Sequence, residues 1–110
     1  MKFISFLHNN KEKFGILKNQ TVTDLTGKIS NSKSLKDLIK KNAIGEAKKF
    51  ANNNPGNIKL DDIQYLPLIP NPGKIICVGL NYSEHVKETN RTVEENPVIF
   101  HRFPESQTAH

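Results

Sequence analysis

His85 and Glu88 stand three residues apart in a short polar segment, 82–88, which follows the apolar run 75–78 and Gly79. If that segment is helical, the two side chains share one face. A carboxylate beside an imidazole orients the ring and leaves one nitrogen free to take a proton from a substrate or a water. The competing reading is a solvated surface pair. A buried strand that ends at a glycine and delivers the pair at a sheet edge favours acid–base chemistry. Only 22 residues follow Glu88, which leaves little chain to build a site around it.

Other side chains nearby could assist. Gly79 either makes a turn or lets a ligand approach the backbone closely. Asn81 either caps the helix or touches substrate. The Tyr82 hydroxyl either sits at the surface above a packed ring or donates to an anion. Arg102, beside His101 on or just after a strand, could clamp a substrate carboxylate bidentately. It could equally be an edge-strand charge that blocks aggregation. Ser106 and Gln107 are polar residues of the tail, open to substrate contact or plain solvation. Cys77 lies within the apolar run and reads as a small core residue. The sequence holds no zinc-type Cys/His cluster, no phosphate-binding glycine loop and no Gly-x-Ser-x-Gly elbow. The acidic doublets Asp61-Asp62 and Glu94-Glu95 occur in polar surroundings, so no metal ligands are assigned.

The elements that must position these groups read as an α+β chain. Residues 2–8, 14–17 and 21–25 predict three strands joined by turns at Asn9-Asn10-Lys11 and Asn19-Gln20, a small antiparallel meander. Ser34 is a candidate helix N-cap, with Asp37 three residues on. Leu35, Leu38 and Ile39 open an apolar stripe that Ala43, Ala47, Phe50 and Ala51 continue. Gly45 either splits this into two helices or is tolerated inside one. The segment from Ile58 to Leu66 reads as one extended stretch. Pro67, Pro70, Pro72 and Gly73 form a stiff connector. The expected organisation is a small α+β domain over 1–66, a proline-rich connector over 67–73, and the start of a second domain over 74–110. In that second part an uninterrupted apolar strand, 74–78, suits cover on both faces. A strand over 97–103 follows, then a tail without an apolar anchor. One strand with one available neighbour is marginal in water.

Composition narrows the classes. The chain has 110 residues, 35% apolar residues and a net charge of +5 from 16 basic and 11 acidic side chains. Its mean hydropathy is −0.56. The core is therefore small. The lysines fall mostly off the apolar stripe, which reads as a solvated helix face rather than a nucleic-acid surface. The longest apolar run is too short for a bilayer span, and the amino terminus is too short in apolar residues for a signal peptide. The single cysteine fits a reducing compartment. Together these predict a cytoplasmic protein with no membrane and no nucleic-acid partner.

The segment from Leu66 to Glu88, with its Gly-Leu-Asn-Tyr-x-x-His-x-x-Glu pattern, resembles the amino-terminal entry to the fumarylacetoacetate hydrolase family domain. The likeness continues through 96–107, where a Pro-x-x-Phe strand, a basic residue with Phe, and a Ser-containing loop recur. Residues 1–66 resemble the more variable region that precedes this domain. The resemblance implies a mixed β-roll, of which this chain carries only the first strands. It also implies Mg2+ for the complete domain, and hydrolysis, decarboxylation, hydration or isomerisation of β-keto or 2-oxo acids, with the metal stabilising the enolate. His85 and Glu88 match the family's dyad by position, and Arg102 matches a basic position near the substrate.

The family's metal-binding carboxylates lie further along than residue 110, and no matching motif occurs here. The chain is therefore expected to be an amino-terminal portion (truncated, split or decayed), with no cofactor of its own and no activity alone. It would be completed by a carboxy-terminal partner chain or act as a homodimer, on a small oxo acid. The alternative is a non-catalytic remnant or small interaction module. A basic nucleic-acid-binding domain, which would show salt-dependent duplex binding, ranks third.

Overall fold

A computed structural model describes residues 1–79 and 98–109. The predicted acid–base pair and Tyr82 lie outside these residues. Among the described residues the fold is α+β, as expected: a five-stranded antiparallel sheet with two helices, and a separate two-stranded sheet. The chain divides into two compact units, Met1–Asn71 with Gln107–His110, and Pro72–Ser106.

In the first unit, β1 (Lys2–His8), β2 (Lys11–Lys18) and β3 (Thr21–Asp24) form the predicted meander. Both hairpins turn through two residues with positive φ, Asn9 (51°) with Asn10 (58°), and Asn19 (49°) with Gln20 (65°). Two-residue turns of this kind match the twist of the flanking strands, and asparagine enters the left-handed region more easily than most residues.

The register sorts the sheet into two faces. Phe3, Ser5, Phe14, Ile16 and Thr23 lie on one; Ile4, Phe6, Leu17 and Val22 lie on the other. Helices α1 (Leu35–Lys40) and α2 (Ile44–Asn53) cover the first face, where Phe14 and Ile16 pack with Leu35, Leu38, Ala47 and Ala51. The Ser5 hydroxyl donates to the Leu68 carbonyl and that of Thr23 to the Asn54 carbonyl, so the buried polar groups of this face are satisfied.

Ser34 caps α1 as predicted, its Oγ accepting from the Asp37 N–H at 3.1 Å. The Asp37 carboxylate reaches one residue further back than a standard capping box, to the Lys33 N–H. The helices part at Lys41–Ala43, not at Gly45, which lies within the first turn of α2. The cause is a Schellman ending. Asn42 takes a φ of 54°, its N–H donates to the Ile39 carbonyl, and the Ala43 N–H donates to the Leu38 carbonyl. Ile39, placed on the apolar stripe from sequence, is 54% exposed. The lysines at 36, 40, 41, 48 and 49 are all exposed, in keeping with a solvated helix face.

The stretch 58–66 is not one extended segment. It forms β4 (Ile58–Lys59), a 3-10 turn (Leu60–Asp62) and β5 (Gln64–Leu66). β4 pairs with β3 and β5 pairs with β1, so the two lie at opposite edges of the sheet. Four flat inter-strand spacings would separate them by about 19 Å. The five residue steps from Lys59 to Gln64 reach at most about 17 Å, less with a 3-10 turn among them. The sheet must therefore curl. Leu60 and Ile63 pack on Ile4, Phe6, Val22 and Ile58 and close the second face.

Lys13 and Asp24 form an ion pair of 2.7 Å on this second face. Burial raises the Asp24 carboxyl, but the Lys13 ammonium and the Thr26 N–H and hydroxyl outweigh it and hold the group below its ordinary value of 3.8. A carboxyl lowered by folding stabilises the fold above that ordinary value. The contribution disappears as pH falls through the lower folded value. Asp24→Asn should cost about 1–2 kcal/mol at neutral pH. Urea denaturation across pH 2–7, an ordinary acid range for carboxylates, should show this gap closing at the acid end; a gap unchanged by pH would exclude the pair as its source.

The second unit holds β6 (Ile75–Gly79) and β7 (Val98–Arg102), paired antiparallel. The expectation that residues 74–78 form a strand covered on both faces fails. Ile76 is 65% and Val78 49% exposed, and every residue of β7 is exposed. Apolar residues at both parities need a layer on each side, and among the described residues β6 pairs only with β7. The tail makes polar contacts. Ser106 Oγ donates to the Phe103 carbonyl, and Gln107 Nε2 to the Ile69 carbonyl. No helix among the described residues is long and apolar enough to cross a membrane.

Candidate functional site

Two of the five predicted site residues, Gly79 and Arg102, fall among the described residues; His85, Glu88 and Tyr82 do not. Gly79 closes β6 opposite Val98, and Arg102 closes β7 opposite Ile75. Four residue steps separate their rungs of the ladder, about 13 Å along the strands. The ladder therefore does not bring them together. Gly79 has no positive φ, and a Cβ there would meet Phe100 at 3.4 Å and Val98 at 3.6 Å. These are ordinary contacts, so the strand itself does not demand glycine at 79.

At the Arg102 end of the ladder lies an open apolar cavity of about 560 Å³. Its lining includes Ile75, Ile76, Ile99, Phe100 and Phe103, with Lys74, His101 and Arg102. The His101 ring meets Phe103 edge-on, with centroids 5.6 Å apart and planes at 87°. By the register Arg102 lies opposite Ile75, on the other face of the ladder from Ile76 and Ile99, and its guanidinium can meet a small carboxylate or an acidic side chain. The signal for this surface was present in the sequence. Ile75, Ile76, Cys77 and Val78 on one strand and Val98, Ile99 and Phe100 on the other place apolar groups at both parities with only each other to pair with. Ser106 and Gln107, candidate substrate contacts from sequence, spend their side chains on backbone carbonyls.

Among the described residues no three His, Cys, Asp or Glu side chains gather as a metal site would require. The residues described thus do not fit the metal that the sequence resemblance implies.

Comparison with known proteins shows what this chain is similar to. No family model matches the chain. It is similar to "Oxaloacetate tautomerase fahd2, mitochondrial" of Xenopus laevis, with 39% identity over 64 residues, 58% of this chain and 20% of that protein. It is similar to "Oxaloacetate tautomerase Fahd2a, mitochondrial" of Rattus norvegicus, with 43% identity over 49 residues, 44% of this chain and 16% of that protein. The "Fumarylacetoacetate hydrolase domain-containing protein 2 homolog" of Dictyostelium discoideum matches at 28% identity over 111 residues, 94% of this chain and 36% of that protein. The resemblance to the fumarylacetoacetate hydrolase family is borne out. This chain is homologous to a part of such proteins, spanning 36% or less of the length of these three curated relatives, which fits an amino-terminal portion.

Proposed function

We propose that this chain is the amino-terminal portion of a fumarylacetoacetate hydrolase-type enzyme acting on β-keto or 2-oxo acids, and that it is inactive until completed. The observation that carries the reading is the match of 94% of the chain to 36% of a relative named for that domain. The relatives named as oxaloacetate tautomerases support oxaloacetate as the substrate. Keto–enol exchange removes a proton from the carbon beside the carbonyl and places a proton on the carbonyl oxygen. In this chain His85 exchanges those protons, and Glu88 holds the imidazole in the tautomer that can accept one. Arg102 neutralises a substrate carboxylate. Tyr82 and Gly79 contribute a hydroxyl donor and an open backbone approach.

The Mg2+ of the complete domain would be held by carboxylates outside this chain, so the steps assigned here involve protons only. A carboxy-terminal partner chain supplies the remaining strands. The cytoplasmic setting drawn from composition belongs to this proposal too, although the frog and rat relatives carry "mitochondrial" in their names.

Turnover tests the reading. The chain, magnesium and the unmatched remainder of the Dictyostelium relative should together enolise oxaloacetate. Failure on oxaloacetate and on acylpyruvates alike would refute it. The wholly exposed β7 favours one second reading, a small interaction module without catalysis. That reading predicts complex formation with no turnover.

A further inference from the structure

We infer that Gln107 is a positioning residue: its side-chain amide fastens the downstream end of the 72–106 segment to the proline connector, so that the segment is held at both ends. This rests on the proposed reading of the site, since Gly79, Tyr82, His85, Glu88 and Arg102 all fall within that segment. The chain leaves the first unit after Asn71 and re-enters it at Gln107. Proline at 67, 70 and 72 fixes φ and removes three N–H donors from the connector. Its carbonyls accept bonds instead, from three different parts of the first unit. The Ser5 hydroxyl of β1 donates to the Leu68 carbonyl at 2.8 Å, Gln107 Nε2 to that of Ile69 at 3.3 Å, and Lys36 Nζ of α1 to that of Asn71 at 2.9 Å. Ile69 also packs against the core beneath the helices. The upstream crossing is therefore fixed up to the residue where the chain departs.

The downstream crossing depends on Gln107. The hydroxyls on either side of it, Ser106 and Thr108, are spent on the carbonyls of Phe103 and Ala109, close by in sequence. The Gln107 bond reaches across 38 residues. Thr108 and Ala109 then line a cavity with Tyr65, Pro67 and Leu68, so the tail runs beside the connector. With the bond made, both crossings leave the first unit at one place. With it broken, the segment hangs from Asn71 alone. A substrate that binds only the closed form has its apparent affinity reduced by the closed fraction.

Nuclear magnetic resonance on the full chain reads the clasp directly. The Gln107 side-chain amide protons should show cross-relaxation with Ile69 or Pro70. Gln107→Glu keeps the shape and loses the donor, and should lower the backbone heteronuclear NOE of Thr108 and Ala109 toward that of a free tail. Gln107→Lys, a donor of the kind Lys36 presents to Asn71, should restore it, and Thr108→Ala should leave it unchanged. Retained amide protection of β1 and β2 verifies that the variants fold. In the assembly with magnesium and the unmatched remainder of the Dictyostelium relative, Gln107→Glu should raise KM for oxaloacetate about two- to tenfold, the range one hydrogen bond controls. Gln107→Lys should recover it. Loss of folded chain would lower kcat instead. Absence of that cross-relaxation in the unaltered chain, or a tail equally ordered in Gln107→Glu, overturns the inference. So does an unchanged KM in an assembly that turns over. An assembly without turnover sinks the catalytic reading alone, and the order of the tail then decides for or against the clasp.

Discussion

His85→Asn in the completed assembly should lower the rate of oxaloacetate enolisation by about 10²–10⁴-fold, the usual contribution of a positioned general acid–base group. Asparagine keeps the approximate size and the hydrogen-bonding capacity of the imidazole but cannot exchange a proton near neutral pH. Glu88→Gln should cost less, since the carboxylate orients the ring and does not itself meet the substrate. The two losses should not add in the double variant, because both act through one proton transfer. Steady-state kinetics with kcat and KM separated checks this. A loss confined to KM would make His85 a binding residue, and equal losses from both single variants with full additivity would dissolve the dyad.

Phe6→Ala should cost about 3–5 kcal/mol of stability. Phe6 has no exposed surface and lies at the centre of the second apolar face, against Ile4, Val22 and Ile58, with Leu60 and Ile63 closing over it. A unit of about 70 residues is typically stable by only about 4–11 kcal/mol. The substitution therefore removes much of what holds the first unit, and its urea midpoint should fall by more than about 1 M. Ile39→Ala should change stability by less than about 0.5 kcal/mol, because the side chain is largely exposed. The sequence pattern alone would put Ile39 in the core. Equal effects from the two substitutions would show that the curled sheet and its second apolar layer are wrong.

Local chemistry made part of the fold legible. Asn9-Asn10 and Asn19-Gln20 mark their hairpins because the turn type needs positive φ at those positions. Ser34 marks the start of α1 through a bond that spans three residues. What could not be read depends on distant partners. Gly45 could be a helix break or a tolerated interior glycine; the break falls at Asn42, where the Asn42 and Ala43 N–H groups bond back to Ile39 and Leu38. Nothing local in 58–66 says that its two ends must reach opposite sheet edges. Ile29 is 2% exposed in a segment that reads as loop. It is held there by bonds from the Gly27 N–H to the Ser32 carbonyl and from the Ser32 N–H to the Ile29 carbonyl.

The candidate site divides the same way. The His85/Glu88 pair and the family resemblance came from spacing and motif, and the relatives bear out the resemblance. The exposure of β6 and β7 did not follow from composition, since an apolar run predicts burial without saying what provides the cover. The exposed apolar side chains of β6 and β7 and the short share of each relative's length both support the proposed reading.

Keto–enol exchange of oxaloacetate, followed as loss of deuterium from its methylene carbon in the presence of magnesium, tests the central claim most directly. The rate is compared for this chain alone, for the unmatched remainder of the Dictyostelium relative alone, and for the two together. The account predicts background exchange from each alone and saturable catalysis from the mixture, lowered about 10²–10⁴-fold by His85→Asn. Catalysis by this chain alone, or a mixture no faster than background, would contradict it.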